Sequence, residues 1–234
     1  MDMIELLTQF NLTRQEAVIY TTLLSEGDLN GYEVAKITGI SRSNAYTSLA
    51  ALVEKGGAYV IDGPATRYTP VTVEELCSNR IRKLEETRKE LLRNIPAKRD
   101  DIEGYVTIKG KSHILDKMRN MIAEARERVY ISVSEQVLEC LQPEIKAAAG
   151  RGIKTVLITN VPFNLEGATV YLTEKSHRQI RLIADSTNVL TGDIEDGEYS
   201  TCLYSRKKNL IDLLKDSLKN EIQLIEMTKG DNTK

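Results

Sequence analysis

Between positions 36 and 47 the chain carries a row of hydrogen-bond donors suited to reading the edge of a base pair. The planar fork of Arg42 can meet the two acceptors of guanine, and the amide of Asn44 can pair with adenine. Ser41, Ser43, Tyr46 and Thr47 add hydroxyls, while Lys36, Lys55 and Arg67 add cations that can meet phosphate or a minor groove. No Asp or Glu interrupts the stretch from Val34 to Val53. Such a set reads DNA only if one rigid face presents it.

The flanking residues supply that face. Residues 32–38 have the spacing of a short helix with Val34, Ala35 and Ile37 inward; Gly39 permits the turn and Ile40 anchors it. Ser41 caps a second helix in which Ala45, Leu49 and Leu52 form a buried stripe, turning Arg42, Ser43, Tyr46 and Thr47 outward. This is a helix–turn–helix pattern. Gly56 and Gly57 stop the second helix, and AYVI, the turn Asp62-Gly63-Pro64 and Thr66–Thr69 make a hairpin, which at this place is a wing. Upstream, Thr13 and Glu16 form a capping box for a helix through Leu24. Three helices and a wing give a winged helix–turn–helix domain over residues 1–72.

The charge balance of that domain is unfavourable for a DNA reader acting alone. Residues 1–72 hold five basic side chains (Arg14, Lys36, Arg42, Lys55, Arg67) against eight acidic ones, the opposite sign from most DNA-binding domains. A partner copy would double the few phosphate contacts. The next segment, 73–103, can provide one: it is charged, opens with a Thr72–Glu75 capping box, and repeats Cys77, Ile81, Leu84, Leu91 and Ile95 as a short seam, with Arg88 breaking it. The alternative is a helix packed on its own domain. Pro96 ends the run.

Residues 104–234 alternate strand and helix. GYVTIKG, VYISVS, IKTVLITN, RQIRLIAD and YSTCLYS read as strands, with helices over 112–126, 136–150 (closed by Gly150) and 207–227. The fold class expected is α+β and multidomain: an N-terminal winged helix–turn–helix, a helical coiled-coil linker and a C-terminal α/β domain. Ligands in such sheets sit beyond the carboxyl ends of the strands, which points to Ser132, Ser134, Thr159, Asn160, Asp185 and Asn188.

Other chemistry finds no motif. There is no phosphate loop, dinucleotide fingerprint, zinc-protease helix or serine-hydrolase elbow. Cys77, Cys140 and Cys202 lie far apart, and the two histidines, His113 and His177, are likewise distant, so neither metal nor cofactor is expected. Asp193, Glu195 and Asp196 lack the spacing of a calcium loop. No apolar run is long enough to span a membrane and no signal segment opens the chain, so a cytoplasmic location is expected.

The order of these parts resembles the TrmB family of transcriptional regulators. The stretches LTRQEAVIYTTLL, GYEVAKITGISRSNAYTSLAALVEKG, RGIKTVLITN and RQIRLIADSTNVLTG carry the likeness, which covers nearly the whole chain. The resemblance implies a dimeric regulator of sugar-related genes that binds double-stranded DNA, with a second domain similar to one half of phospholipase D and a small, sugar-like effector. Archaeal members with a known sugar site carry a further C-terminal extension that is not in this sequence. Phospholipase D chemistry uses H-x-K-x4-D, where histidine attacks phosphorus. Here HRQIRLIAD has Gln179 in the lysine position and Asp185 eight residues after His177 instead of seven. His113 has no better surroundings. A non-catalytic domain in which His177 belongs to an effector pocket is therefore expected; a winged-helix protein–protein module and an active phosphodiesterase are the alternatives.

Overall fold

The computed structural model describes residues 2–96, 104–173, 178–195 and 199–231. The chain divides into two units, Met1–Lys98 and Arg99–Lys234. In the first, the elements are α1 (Met3–Gln9), α2 (Arg14–Glu26), β1 (Leu29–Asn30), α3 (Gly31–Thr38), α4 (Arg42–Glu54), β2 (Ala58–Ile61), β3 (Arg67–Pro70) and α5 (Val73–Asn94). Each of the five helices starts on a side-chain cap: Asp2, Thr13, Asn30, Ser41 and Thr72. These caps satisfy backbone N–H groups that have no partner within the helix. The sequence expectation of three helices missed α1, although Asp2 and Glu5 form a capping box.

The turn between α3 and α4 works as the sequence implies. Gly39 takes a left-handed φ of 70° and Ile40 packs against the core. Ala45, Leu49 and Leu52 are fully buried, beside Ile19, Tyr20, Leu23 and Val34. Full burial of each large aliphatic side chain contributes about 1.5–3 kcal/mol. Ile37 departs from expectation: it is 51% exposed, because Val34 and Ala35 already fill the inward side of so short a helix. The wing is a three-stranded sheet, β1-β3-β2, rather than a bare hairpin. Tyr20 fixes it to the helices by donating its hydroxyl to the Val71 carbonyl at 2.7 Å. Burial, reinforced by Cys77, pushes that phenol up to about 12.

The second unit contains β4 (Tyr105–Lys109), α6 (Lys111–Glu124), β5 (Arg128–Ser132), α7 (Glu135–Gly150), β6 (Lys154–Thr159), β7 (Ala168–Leu172), β8 (Gln179–Ala184), β9 (Asn188–Asp193), β10 (Thr201–Ser205) and α8 (Lys208–Asp231). The sheet order is β4-β10-β9-β8-β5-β6-β7. Strands β5, β6 and β7 run parallel and the other pairs antiparallel. One face carries α6 and α7 through Ile114, Met118, Ile122, Leu138, Leu141 and Ile145. The other carries α8, whose Ile211, Leu214 and Leu218 meet Ile158, Ile183 and Val189. Helix α7 runs through Gly150 and caps at Arg151; the left-handed residue that ends it is Gly152, φ 77°.

Two strands were not expected, β7 and β9. β8 and β9 form a hairpin whose tight turn places Asp185 (φ 50°) and Ser186 (φ 59°) in the left-handed region, with the Thr187 N–H on the Ala184 carbonyl at 3.0 Å. Two positive φ angles match the twist of paired strands, but Asn-Gly or Asp-Gly is the usual sequence sign for such a turn. Asp-Ser hides it.

Candidate nucleic-acid interface and effector pocket

On α4 the residues Arg42, Ser43, Asn44, Tyr46 and Thr47 are all exposed, and Lys36 of α3 is exposed beside them. The Arg42 guanidinium lies 4.5 Å from the centroid of the Tyr32 ring. Such stacking restricts the long side chain before any ligand arrives, leaving its N–H edges available. Tyr32 was not singled out from sequence. Its role needs the packing of two helix starts, which no linear spacing shows. Gly31 similarly makes room for Tyr46: a Cβ there would fall 2.4 Å from the ring.

Three other expected contacts already have partners in the unit. Ser41 is the N-cap of α4, its hydroxyl accepting the Asn44 N–H at 3.4 Å. Lys55 lies 2.6 Å from Glu16, whose side chain is only 6% exposed, so this cation neutralises a nearly buried carboxylate. Arg67 donates to the Asp28 carbonyl and stands 3.4 Å from Glu33. The exposed face is therefore concentrated on Lys36, Arg42, Ser43, Asn44, Tyr46 and Thr47, the last with its hydroxyl donated to the Ser43 carbonyl at 3.0 Å.

Along α5 the seam residues are open to solvent. Ile81, Leu84, Leu91 and Ile95 are 50%, 52%, 52% and 61% exposed, and Cys77 is half-buried. Only Leu76 of this helix is buried against the first unit's core.

In the second unit the expected effector residues separate into two groups. Ser132, Ser134, Thr159 and Asn160 gather at the carboxyl ends of the parallel strands β5 and β6. Asp185 and Asn188 do not join them. Because β8 pairs antiparallel with β5, its end lies beside Arg128, at the opposite end of the strands. There the Asp185 carboxylate accepts the N–H groups of Arg126, Glu127 and Arg128 at 2.9, 2.8 and 3.0 Å. Asn188 accepts from Tyr204 and Arg206. Both serve the structure, and both line a separate cavity of about 360 Å³ with Lys117 and Arg206. His177 lies outside the described residues, as does Asp196. Among the described residues no group of three or more His, Cys, Asp or Glu could hold a metal ion.

Burial acts to raise the Asp185 carboxyl, but the three backbone donors and Arg126 outweigh it and hold it below its ordinary value. A depressed carboxylate gives stability above its unfolded pKa that is lost as pH falls through the folded one. Asp185→Ala should cost about 1–3 kcal/mol at neutral pH and flatten the loss of stability in acid. Thermal melts between neutral and acid pH check this, and parallel curves for the two proteins would refute it.

At the carboxyl ends, Ser132 accepts from Arg181 at 3.1 Å, and Asn160 accepts the Glu135 N–H at 2.8 Å, orienting the start of α7. Arg181 and Glu221 form an ion pair, 6% and 5% exposed. The hydroxyls of Ser134 and Thr159 are buried without a hydrogen-bond partner. Ser134 also lines an open cavity of about 290 Å³ with Lys111, Gln136, Cys140, Arg178 and Glu195. Apart from Ser134, these residues were not foreseen. Arg178 and Glu195 meet there at 2.7 Å only because β8 and β9 pair, a hairpin the sequence did not reveal.

A winged helix–turn–helix with an acid-free donor face, followed by a mixed α/β unit with a polar strand-end cavity, defines the class of DNA-binding transcription regulators. Residues 6–74 match the family described as "Sugar-specific transcriptional regulator TrmB", and residues 104–218 match the TrmB EBD N-terminal subdomain. The chain belongs to the TrmB family of transcriptional regulators. Protein YrhO of Bacillus subtilis is 28% identical over 239 residues, covering 97% of this chain and 87% of that one. The "HTH-type sugar sensing transcriptional regulator TrmBL1" of Pyrococcus furiosus is 27% identical over 149 residues, 60% of this chain but only 43% of its own length. Among solved structures, TrmBL2, described as an archaeal chromatin protein, aligns with TM-score 0.47 and 21% identity over 94% of this chain and 97% of its own. NucT from Helicobacter pylori aligns with TM-score 0.43 and 17% identity over 51% of this chain and 96% of its own.

Proposed function

We propose that this regulator reads a two-fold symmetric DNA site as a homodimer, through α4 of each copy, and that a small sugar-like effector in the second unit sets its affinity. The observation that carries the reading is the exposed, acid-free face of α4, with Arg42 held over Tyr32. Arg42 and Asn44 address base edges; Lys36, Ser43, Tyr46 and Thr47 address phosphates. With Lys55 and Arg67 engaged inside the unit, one copy neutralises few phosphates, and pairing through α5 supplies the rest. The effector site is the cavity of about 290 Å³ between the starts of α6 and α7, which Lys111, Ser134 and Arg178 line, and the protein acts in the cytoplasm as a regulator without catalytic turnover.

Binding selection from random duplexes, followed by affinity measurement across a salt series, tests the reading. Arg42→Ala should cost about 1–3 kcal/mol and relax preference at one position of each half-site. Unchanged affinity and preference would remove α4 as the reading element. The acidic excess of residues 1–72 favours a second reading, a protein–protein module. That reading gains if no duplex binds while a partner protein co-purifies at fixed stoichiometry.

A further inference from the structure

Two helices of the second unit begin in a way that none of the first unit's helices do. Helix α6, 14 residues long, starts after Gly110, and α7, 16 residues long, after Ser134; neither N-cap residue caps its helix with its own side chain, and at α7 the Asn160 amide oxygen accepts the Glu135 N–H instead. Their first turns face the same cavity, which Lys111, Ser134 and Gln136 line. The Ser134 hydroxyl sits at the N-cap position of α7, where it would ordinarily accept a backbone N–H, yet it is buried without a partner in a residue 6% exposed. A helix start concentrates backbone N–H donors and positive dipole, and two such starts directed at one cavity favour a negative group there. Among the described residues that line it, Lys111 and Arg178 carry positive charge and Glu195 carries negative charge. Glu195 lies 2.7 Å from Arg178, so it occupies the guanidinium that an incoming anion would use.

We infer that this cavity receives the phosphate group of a small phosphorylated ligand, of the sugar monophosphate class, between the starts of α6 and α7 and against Lys111 and Arg178. The volume of about 290 Å³ leaves room for a sugar-sized body beside the phosphate. The Ser134 hydroxyl, closed to solvent as it stands, turns toward the cavity to donate its proton to a phosphate oxygen, which ends its isolation. Arg178 exchanges Glu195 for the ligand, so Glu195 acts as a competing internal anion. The inference rests on the reading of this cavity as the effector site and specifies what enters it.

Calorimetric titration of the full chain with inorganic phosphate, glucose 6-phosphate and glucose, without DNA, tests it. The phosphate ester should bind about tenfold or more tightly than the neutral sugar, and inorganic phosphate should compete with it. Lys111→Gln and Arg178→Gln should each weaken the ester by about tenfold, and Ser134→Ala by a smaller factor. Glu195→Gln should strengthen it, a direction that loss of structure does not produce. Circular dichroism melts establish that the variants fold. Equal affinity for glucose and its phosphate, an Arg178→Gln protein that binds as before, or weaker binding by Glu195→Gln would each overturn the inference. If no phosphorylated probe binds while a neutral sugar still alters DNA affinity, the phosphate assignment fails and the effector reading survives. If phosphate esters bind without altering DNA affinity, the assignment stands and the effector reading fails.

Discussion

Replacing Leu84 and Leu91 together by glutamate is expected to convert the protein from dimer to monomer and to lower its DNA affinity by about a hundredfold or more. Both side chains are 52% exposed, in a row with Ile81 and Ile95, and no core of the first unit covers them. In the proposed dimer each change removes an apolar contact from both copies and sets acidic groups opposite one another across the symmetry axis. The fold itself should be unaffected, since exposed positions contribute little to it, and the melting temperature should move by only about a degree or two. Sedimentation equilibrium at several concentrations measures the first effect and duplex titration the second. A double variant that remains dimeric would place the interface elsewhere.

Glu221→Ala is expected to be the most damaging single change in the second unit, costing about 3–5 kcal/mol. Arg181 is 6% exposed and directs its guanidinium to Glu221, Ser132 and Ser217. Removing the carboxylate leaves a buried positive charge whose other partners among the described residues, Ser132 and Ser217, are neutral. For a unit of this size the loss corresponds to roughly 10–20 °C in melting temperature. Changing both members, Arg181→Leu with Glu221→Leu, should recover most of it, because the charge needing compensation is gone. A melting temperature for Glu221→Ala within a few degrees of the parent would show that the pair is not buried as described.

The first unit was largely legible because its signals are local. Thr13 with Glu16, Ser41, Gly39 and the stripe Ala45, Leu49, Leu52 each act within a turn or two of helix, and each does in the structure what its position implies. Ile37 was misplaced because an eight-residue helix has too few turns for periodicity to define its buried side. The second unit was legible as alternating strand and helix but not in strand direction. Grouping the carboxyl end of RQIRLIAD with those of the other strands put Asp185 beside Ser132 and Thr159; the antiparallel pairing of β8 with β5 puts it at the opposite end of the strands. Strand direction depends on the connection, and the Asp185–Ser186 turn has no glycine to announce it.

The same limit explains the pocket. Ser134 was found because strand ends in α/β sheets are predictable, whereas Lys111, Arg178 and Glu195 come from three separate stretches that meet only once the sheet order is known. The engagement of Lys55 by Glu16 and of Arg67 by Asp28 and Glu33 was also invisible, since each pairing joins residues more than thirty positions apart. These pairings make the cationic face thinner than the sequence suggests and, in the proposed dimer, increase the dependence on a second copy.

The most direct test of that dependence is the salt slope of binding to a selected duplex, measured for the parent protein and for the Leu84→Glu, Leu91→Glu variant. Two copies acting together predict a slope about twice that of the monomeric variant, with Arg42→Ala lowering the parent's slope or its sequence preference. Equal slopes and equal affinities for dimer and monomer would contradict the account, because a single α4 would then be sufficient to read DNA.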